Sequence, residues 1–230
     1  MLFPELRPEN LDMKLRLKSG QHGYTLVELL VVVAVLAVLA AFLLPALRTR
    51  HTGQQINCIN NLKQVCISFR QWAIDNNEKF PMQVSVTNGG TMELVESGIV
   101  FPHFQVMSNE LGTPKTLICP EDASRTNAFS FIQKLKDSQI SYFVGVDADQ
   151  TKPAMFLVGD NNLGLGGVPA KHGLLRLWTN SPVEWIKPRP RHNNGGNVGL
   201  ADGSVQQAGD AQLRQLLRQT GVATNRLAIP

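Results

Sequence analysis

The chain has 230 residues, 43% of them hydrophobic and 17% charged, and 22 lysines and arginines against 18 aspartates and glutamates give a net charge of +4. That balance excludes a disordered polyelectrolyte and a collagen-like fibre, and a multi-span membrane protein is excluded because only one segment is long and apolar enough to cross a bilayer. The basic residues are scattered rather than gathered into a stripe, so no specific nucleic-acid partner is expected. Three cysteines are too few for a disulfide scaffold, and no Cys-x-x-Cys pair points to zinc or redox chemistry.

Residues 1–23 are polar, with a basic stretch at Lys14, Arg16 and Lys18. From Leu29 to Leu47 no charge occurs, and only Pro45 interrupts the apolar run. At a rise of about 1.5 Å per residue this helix spans roughly 28 Å, close to the ~30 Å hydrocarbon core of a bilayer. Basic residues before the span place the N-terminus in the cytoplasm and the bulk of the chain outside it. A cleaved signal peptide ending near Ala40-Ala41 is one alternative, but Phe42-Leu43-Leu44 continues the apolar run past the alanines. A plain single-span anchor is the other. Neither accounts for Glu28, an acidic residue set at the edge of the run, where charge is costly without a partner.

Gly23-Tyr24-Thr25-Leu26-Val27-Glu28-Leu29-Leu30 resembles the processing site of type IV pilins and type II secretion pseudopilins. The resemblance implies that a prepilin peptidase cuts after Gly23 and N-methylates Tyr24, which stands where phenylalanine is usual. It also implies an assembly role for Glu28. The free α-amino group at Tyr24 of one subunit would pair with the Glu28 carboxylate of a neighbour, offsetting a desolvation cost that neither group could bear alone.

Beyond the span, Ile56, Ile59, Leu62, Val65, Cys66, Phe69, Trp72 and Ala73 recur at steps of three and four, the mark of one apolar helical face. Pro81 stops the pattern, so one helix is expected from Thr25 to about Asn77. Glycine and proline then punctuate shorter runs. A short helix is predicted at Met92–Ser97, and strands at Ile140–Val146, Ala154–Val158 and Leu174–Trp178. Gly164–Gly167 reads as a loop between strands; it lacks the following helix and lysine that a phosphate cradle requires. Asn197–Leu200 and Ser204–Gln207 form a hairpin across Ala201-Asp202-Gly203, in which Asp-Gly supplies the positive φ angles that a tight turn needs. Asp210 caps a final helix with Leu213, Leu216 and Leu217 on its apolar face, and Gly221 ends it. The fold expected is α+β: a long N-terminal helix, transmembrane in its first half, packed on a small antiparallel sheet.

Three further stretches resemble the branch of pilin-like proteins that carries a C-terminal His-x9-Asp-Gly motif. They are Cys58-Ile59-Asn60-Asn61-Leu62-Lys63-Gln64 with Lys79-Phe80-Pro81, Cys119-Pro120-Glu121-Asp122, and Arg191-His192-Asn193-Asn194-Gly195-Gly196-Asn197-Val198 running to Asp202-Gly203. Cys66 and Ser204 depart from the usual small residue and histidine. Cys58 and Cys66 lie about 12 Å apart along one helix and cannot bridge, because the Cα limit for a disulfide is ~7 Å. The shared blocks favour a Cys58–Cys119 pair, with buried free thiols as an equal alternative. His192, Asp160 and Asp202 are residue types that ligate metals or move protons. A calcium site at Asp160 and Asp202, as in some pseudopilins, is weighed against a structural reading and not preferred. In the structural reading Asp202 and Gly203 make the turn, and His192 hydrogen-bonds to the hairpin backbone. No resident cofactor and no enzymatic activity are expected.

The organisation expected is a leader at 1–23, a transmembrane and assembly segment at 24–47, an amphipathic continuation at 48–79 and an extracytoplasmic head at 80–230. The function implied is a structural subunit, processed and methylated, that polymerises into a pilus or pseudopilus. Its expected partners are the prepilin peptidase, other pilin-like subunits, the assembly or secretion machinery and the cytoplasmic membrane. A tethered ligand-binding head that never polymerises is the alternative.

Overall fold

The computed structural model describes residues 24–131, 135–186, 191–192 and 194–230, with side chains described outside 41–52. The leader, Gly23 and Asn193 therefore lie outside the described residues. The chain divides into two units, one ending at Leu47 and the other Arg48–Pro230. Helix α1, Leu26–Asp75, contributes to both.

In the first unit the start of α1 is a reciprocal cap. Thr25 N–H and Oγ1–H both donate to Glu28 Oε2, at 2.8 and 3.0 Å, and Glu28 N–H returns a bond to Thr25 Oγ1 at 3.2 Å. From Leu26 to Leu39 every large apolar side chain is at least 52% exposed. Among the described residues, none covers a face of this stretch. Among the described residues no helix is long and apolar enough to cross a membrane, and the expected span of 29–47 runs into the segment whose side chains are not described.

In the second unit α1 buries Cys58, Leu62, Val65, Cys66, Phe69, Trp72 and Ala73. The periodic face thus begins at Cys58; Ile56 is exposed and Ile59 half-buried. The helix stops two residues short of Asn77, where Asn77 and Glu78 both take positive φ and the Glu78 N–H bonds back to the Ala73 carbonyl. The segment that follows is compact and irregular. It includes a 3-10 helix at Met92–Ser97, as expected from the sequence, α2 at Phe101–Gln105 and α3 at Ser108–Leu111.

The strands are β1 Tyr142–Gly145, β2 Phe156–Asp160, β3 Leu163–Leu165, β4 Val168–Pro169, β5 Gly173–Trp178, β6 Val183–Trp185, β7 Gly196–Leu200, β8 Val205–Ala208 and, after α4 Asp210–Gln219, β9 Thr224–Ile229. Six make one antiparallel sheet in the order β5-β9-β1-β2-β7-β8, and the other three form a small sheet, β4-β3-β6. The fold is α+β.

The central strands β1, β2 and β7 of the main sheet are buried on both faces. Tyr142, Val144, Leu157, Val158 and Ala228 join the core that holds the α1 face, while Phe143, Phe156, Val198, Leu227 and Ile229 join a second core with Leu213 and Leu217 of α4 and Trp185 of β6. Leu157 and Val158 share one core because the register of β2 against β7 shifts between Phe156 and Val158, a bulge that interrupts the alternation.

Two expectations change in detail. The β7–β8 hairpin turns at Ala201–Gly203 as expected, with Gly203 N–H donating to the Leu200 carbonyl and Leu200 N–H to the Ser204 carbonyl, but Gly203 alone, and not Asp202, takes positive φ, +88°. Asp210 is the first residue of α4 rather than its cap: Gly209 caps the helix, and the Asp210 carboxylate instead accepts the backbone N–H of Trp185 at 2.9 Å. β6 and the C-terminal β9, which sits between β5 and β1, are elements the sequence reading did not anticipate.

Candidate functional site

Four parts of the chain converge beside α1. Cys58 lies on its buried face, and Cys119 follows the 3-10 turn Pro114–Leu117. Asp160 ends β2, and His192 precedes β7. The loop carrying Cys119 is tied to the helix by Asn61, whose Nδ2 donates to the Ile118 carbonyl at 3.0 Å. That bond sets Cys119 opposite Cys58 one helical turn away. Ser141 N–H donates to the Leu117 carbonyl, joining the same loop to the residue before β1.

His192 is placed by a zipper of charges. Arg191 pairs with Asp122 at 2.6 Å and donates to Asn161 Oδ1 at 2.8 Å, while the backbone N–H of His192 donates to Glu121. These contacts hold His192 at φ +50°, a left-handed conformation unusual for a side chain of this size. The Cys-Pro-Glu-Asp block and the Arg-His block are therefore one local structure.

The four side chains present one ligand atom each, all within 4.8 Å of one another, and all four residues are buried. His192 Nε2 lies 3.1 Å from Asp160 Oδ2 and 3.3 Å from Cys119 Sγ. Cys58 Sγ is 3.6 Å from both Asp160 Oδ1 and the Tyr142 hydroxyl. Asn197 closes the far side, its backbone N–H and Nδ2 donating to Asp160 Oδ2 at 2.7 and 2.9 Å. His192 Nδ1 faces Glu121 Oε2 at 3.3 Å, close enough to attract a proton but out of hydrogen-bond alignment.

The electrostatics follow from this crowding. Burial pulls the His192 imidazolium down, but its contacts with Asp160 and Cys119 outweigh burial and raise its pKa to about 10. A hydrogen bond from Cys58, opposed by burial and helped by His192, lowers the Cys119 thiol to about 7. Cys58 moves the other way: burial first, then the neighbouring Cys119 and Asp160, hold its proton on. Burial also raises Tyr142.

Cysteine, histidine and a carboxylate in contact are residue types used in nucleophilic catalysis. Nε2 meets both Cys119 and Asp160, while Glu121 faces the other nitrogen, Nδ1, without hydrogen-bond alignment. Cys119 is 0% exposed, so its sulfur is closed to solvent in this structure.

Several sequence expectations are resolved here. Cys58 and Cys119 do come together, as free buried thiols, and Cys66 is likewise free and buried. His192 does not brace the hairpin backbone; it turns into the cluster. Asp160 and Asp202 lie at opposite ends of β7, separated by about 13 Å of strand, so they cannot share one ion. Asp202 is a turn residue, its Oδ1 accepting Ser204 N–H at 2.8 Å and its carbonyl accepting from Arg70. Glu121, Tyr142 and Asn197 belong to the surroundings of the cluster, and no spacing rule in the sequence singles them out for it.

The other functional region is the N-terminal segment, with the Thr25–Glu28 cap and its uncovered apolar helix. Residues 18–44 match the prokaryotic N-terminal methylation motif. The match supports a type IV pilin-like protein, a prepilin-like subunit processed by prepilin peptidase. It implies membrane anchoring and assembly with other pilin subunits. No match is found among curated proteins or solved structures.

Proposed function

We propose that the protein is a structural, non-enzymatic subunit that is cut between Gly23 and Tyr24, methylated on the Tyr24 amine, and assembled through α1 into a type IV pilus-like or type II secretion pseudopilus filament. Before assembly it sits in the cytoplasmic membrane with Arg48–Pro230 outside. The observation that carries this reading is the methylation motif on a helix whose apolar side chains find no cover among the described residues. Such a surface needs lipid or neighbouring helices around it. In the isolated chain the Glu28 carboxylate is held by Thr25; in a filament the methylated amine of the adjacent subunit competes for it and sets axial register.

The test compares processing with incorporation. Intact mass of the mature protein should show residues 1–23 removed and one methyl group added. Glu28→Ala should retain both changes and its membrane location while disappearing from sheared filament fractions. A mature N-terminus at residue 41 or 42 would overturn the processing site, and normal incorporation of Glu28→Ala would leave a tethered, non-polymerising head as the better account.

A further inference from the structure

We propose that Cys58, Cys119, Asp160 and His192 are the four protein ligands of a structural zinc ion that fastens α1 to the β-sheet. Zinc bound by sulfur at about 2.3 Å and by nitrogen or oxygen at about 2.0–2.1 Å has tetrahedral ligand-to-ligand edges of roughly 3.3–3.8 Å. His192 Nε2 lies 3.1 Å from Asp160 Oδ2 and 3.3 Å from Cys119 Sγ, Cys58 Sγ lies 3.6 Å from the other Asp160 oxygen, Oδ1, and one ligand atom from each residue lies within 4.8 Å of the others. Four donors are the number that closed structural sites use, and a contraction of a few tenths of an ångström to about one ångström would bring the longer separations onto tetrahedral edges, with no position left for substrate. Two sulfurs and an imidazole select a borderline-soft cation and exclude calcium, which takes six to eight oxygens.

The surroundings supply what ligands of a metal need. The second nitrogen of His192 faces the Glu121 carboxylate, the arrangement that orients a metal-bound imidazole. Asp160 is held by both donors of Asn197, and Cys58 has the Tyr142 hydroxyl and Asn197 Nδ2 within 3.6 and 3.8 Å. A disulfide between Cys58 and Cys119 would use neither His192 nor Asp160. It would give no reason for a histidine to be held at positive φ against two sulfurs. A divalent cation uses every group, and it neutralises the negative charge of thiolate and carboxylate ligands that is otherwise expensive to bury. The ligands come from residues far apart in the chain, so the ion would act as a clasp among α1, the Cys119 loop, β2 and the segment entering β7.

The experiment uses the full chain without a histidine tag, produced in zinc-supplemented cells and purified in detergent. Metal analysis should find about one zinc per chain, retained in Cys66→Ser and lost in Cys58→Ser and in His192→Gln. Replacement by cobalt should give thiolate-to-cobalt charge-transfer absorption in the wild type, weakened in Cys58→Ser. Alkylation after denaturation with chelator and without reductant should modify all three cysteines. If the variants do not fold, the wild-type zinc content and cobalt spectrum decide alone. A metal-free wild type overturns the proposal, whether alkylation then finds a Cys58–Cys119 disulfide or three free thiols that do not take up added zinc.

Discussion

Breaking the Asp122–Arg191 pair tests the account of how His192 is positioned. The Asp122 side chain is 1% exposed and that of Arg191 10%, with 2.6 Å between the nearest atoms. At about 4 Å between charge centres and an effective dielectric of 20, their attraction is about 4 kcal/mol. Desolvation offsets much of that while the pair is intact. Removing one partner leaves the other buried without compensation, which costs about 3–5 kcal/mol. Asp122 retains Ser124 N–H at 3.2 Å and a long contact with Arg125 at 3.8 Å, so the lower end applies to Arg191→Met and the upper end to Asp122→Leu. Denaturant unfolding of the detergent-purified protein, followed by tryptophan fluorescence, should show each single variant losing about 3 kcal/mol or more. The double variant should lose much less than the sum, because no unpaired charge remains. Additive losses would refute the reasoning, since they would mean that the two charges are solvated independently and do not hold the His192 segment through each other.

Two further outcomes follow from single residues. Burial holds His103 well below its usual pKa, from 6.5 to about 4, against a small upward pull from Asp137; the folded state therefore resists protonation, and stability should fall by roughly 3 kcal/mol as pH drops from about 6.5 to 4, then level off. His103→Gln should flatten that fall, and an unchanged pH profile would show that the imidazole does not titrate differently on unfolding. Gly203→Val should destabilise the protein by roughly 1–2 kcal/mol through the penalty at positive φ. The 3.0 Å approach of its Cβ to Arg70 Cδ adds little, because that side chain can move; a melting temperature equal to wild type would refute the strained-turn assignment.

The sequence by itself determined the elements whose signals are local. Glycine, aromatic, threonine and glutamate in register before an apolar run need no tertiary contact to be read, and α1 was legible to within two residues because seven buried positions repeat at helical spacing. The α+β class and the Asp-Gly turn were legible for the same reason. What the sequence did not disclose was decided by packing. β1, β2 and β7 were legible as strands, but their burial on both faces was not, because side chains without apolar–polar alternation do not say which face meets which core, and β9 owes its place between β5 and β1 to pairing partners far away in the chain. The cluster shows the same division. Cys58, Cys119, Asp160 and His192 were each conspicuous as residue types, but their meeting depends on Asn61 holding the Cys119 loop to α1 and on Arg191 and Asp122 joining two distant segments. Local spacing records what a helix face or a turn requires; the distance between four side chains from four segments exists only once both cores have closed around the sheet.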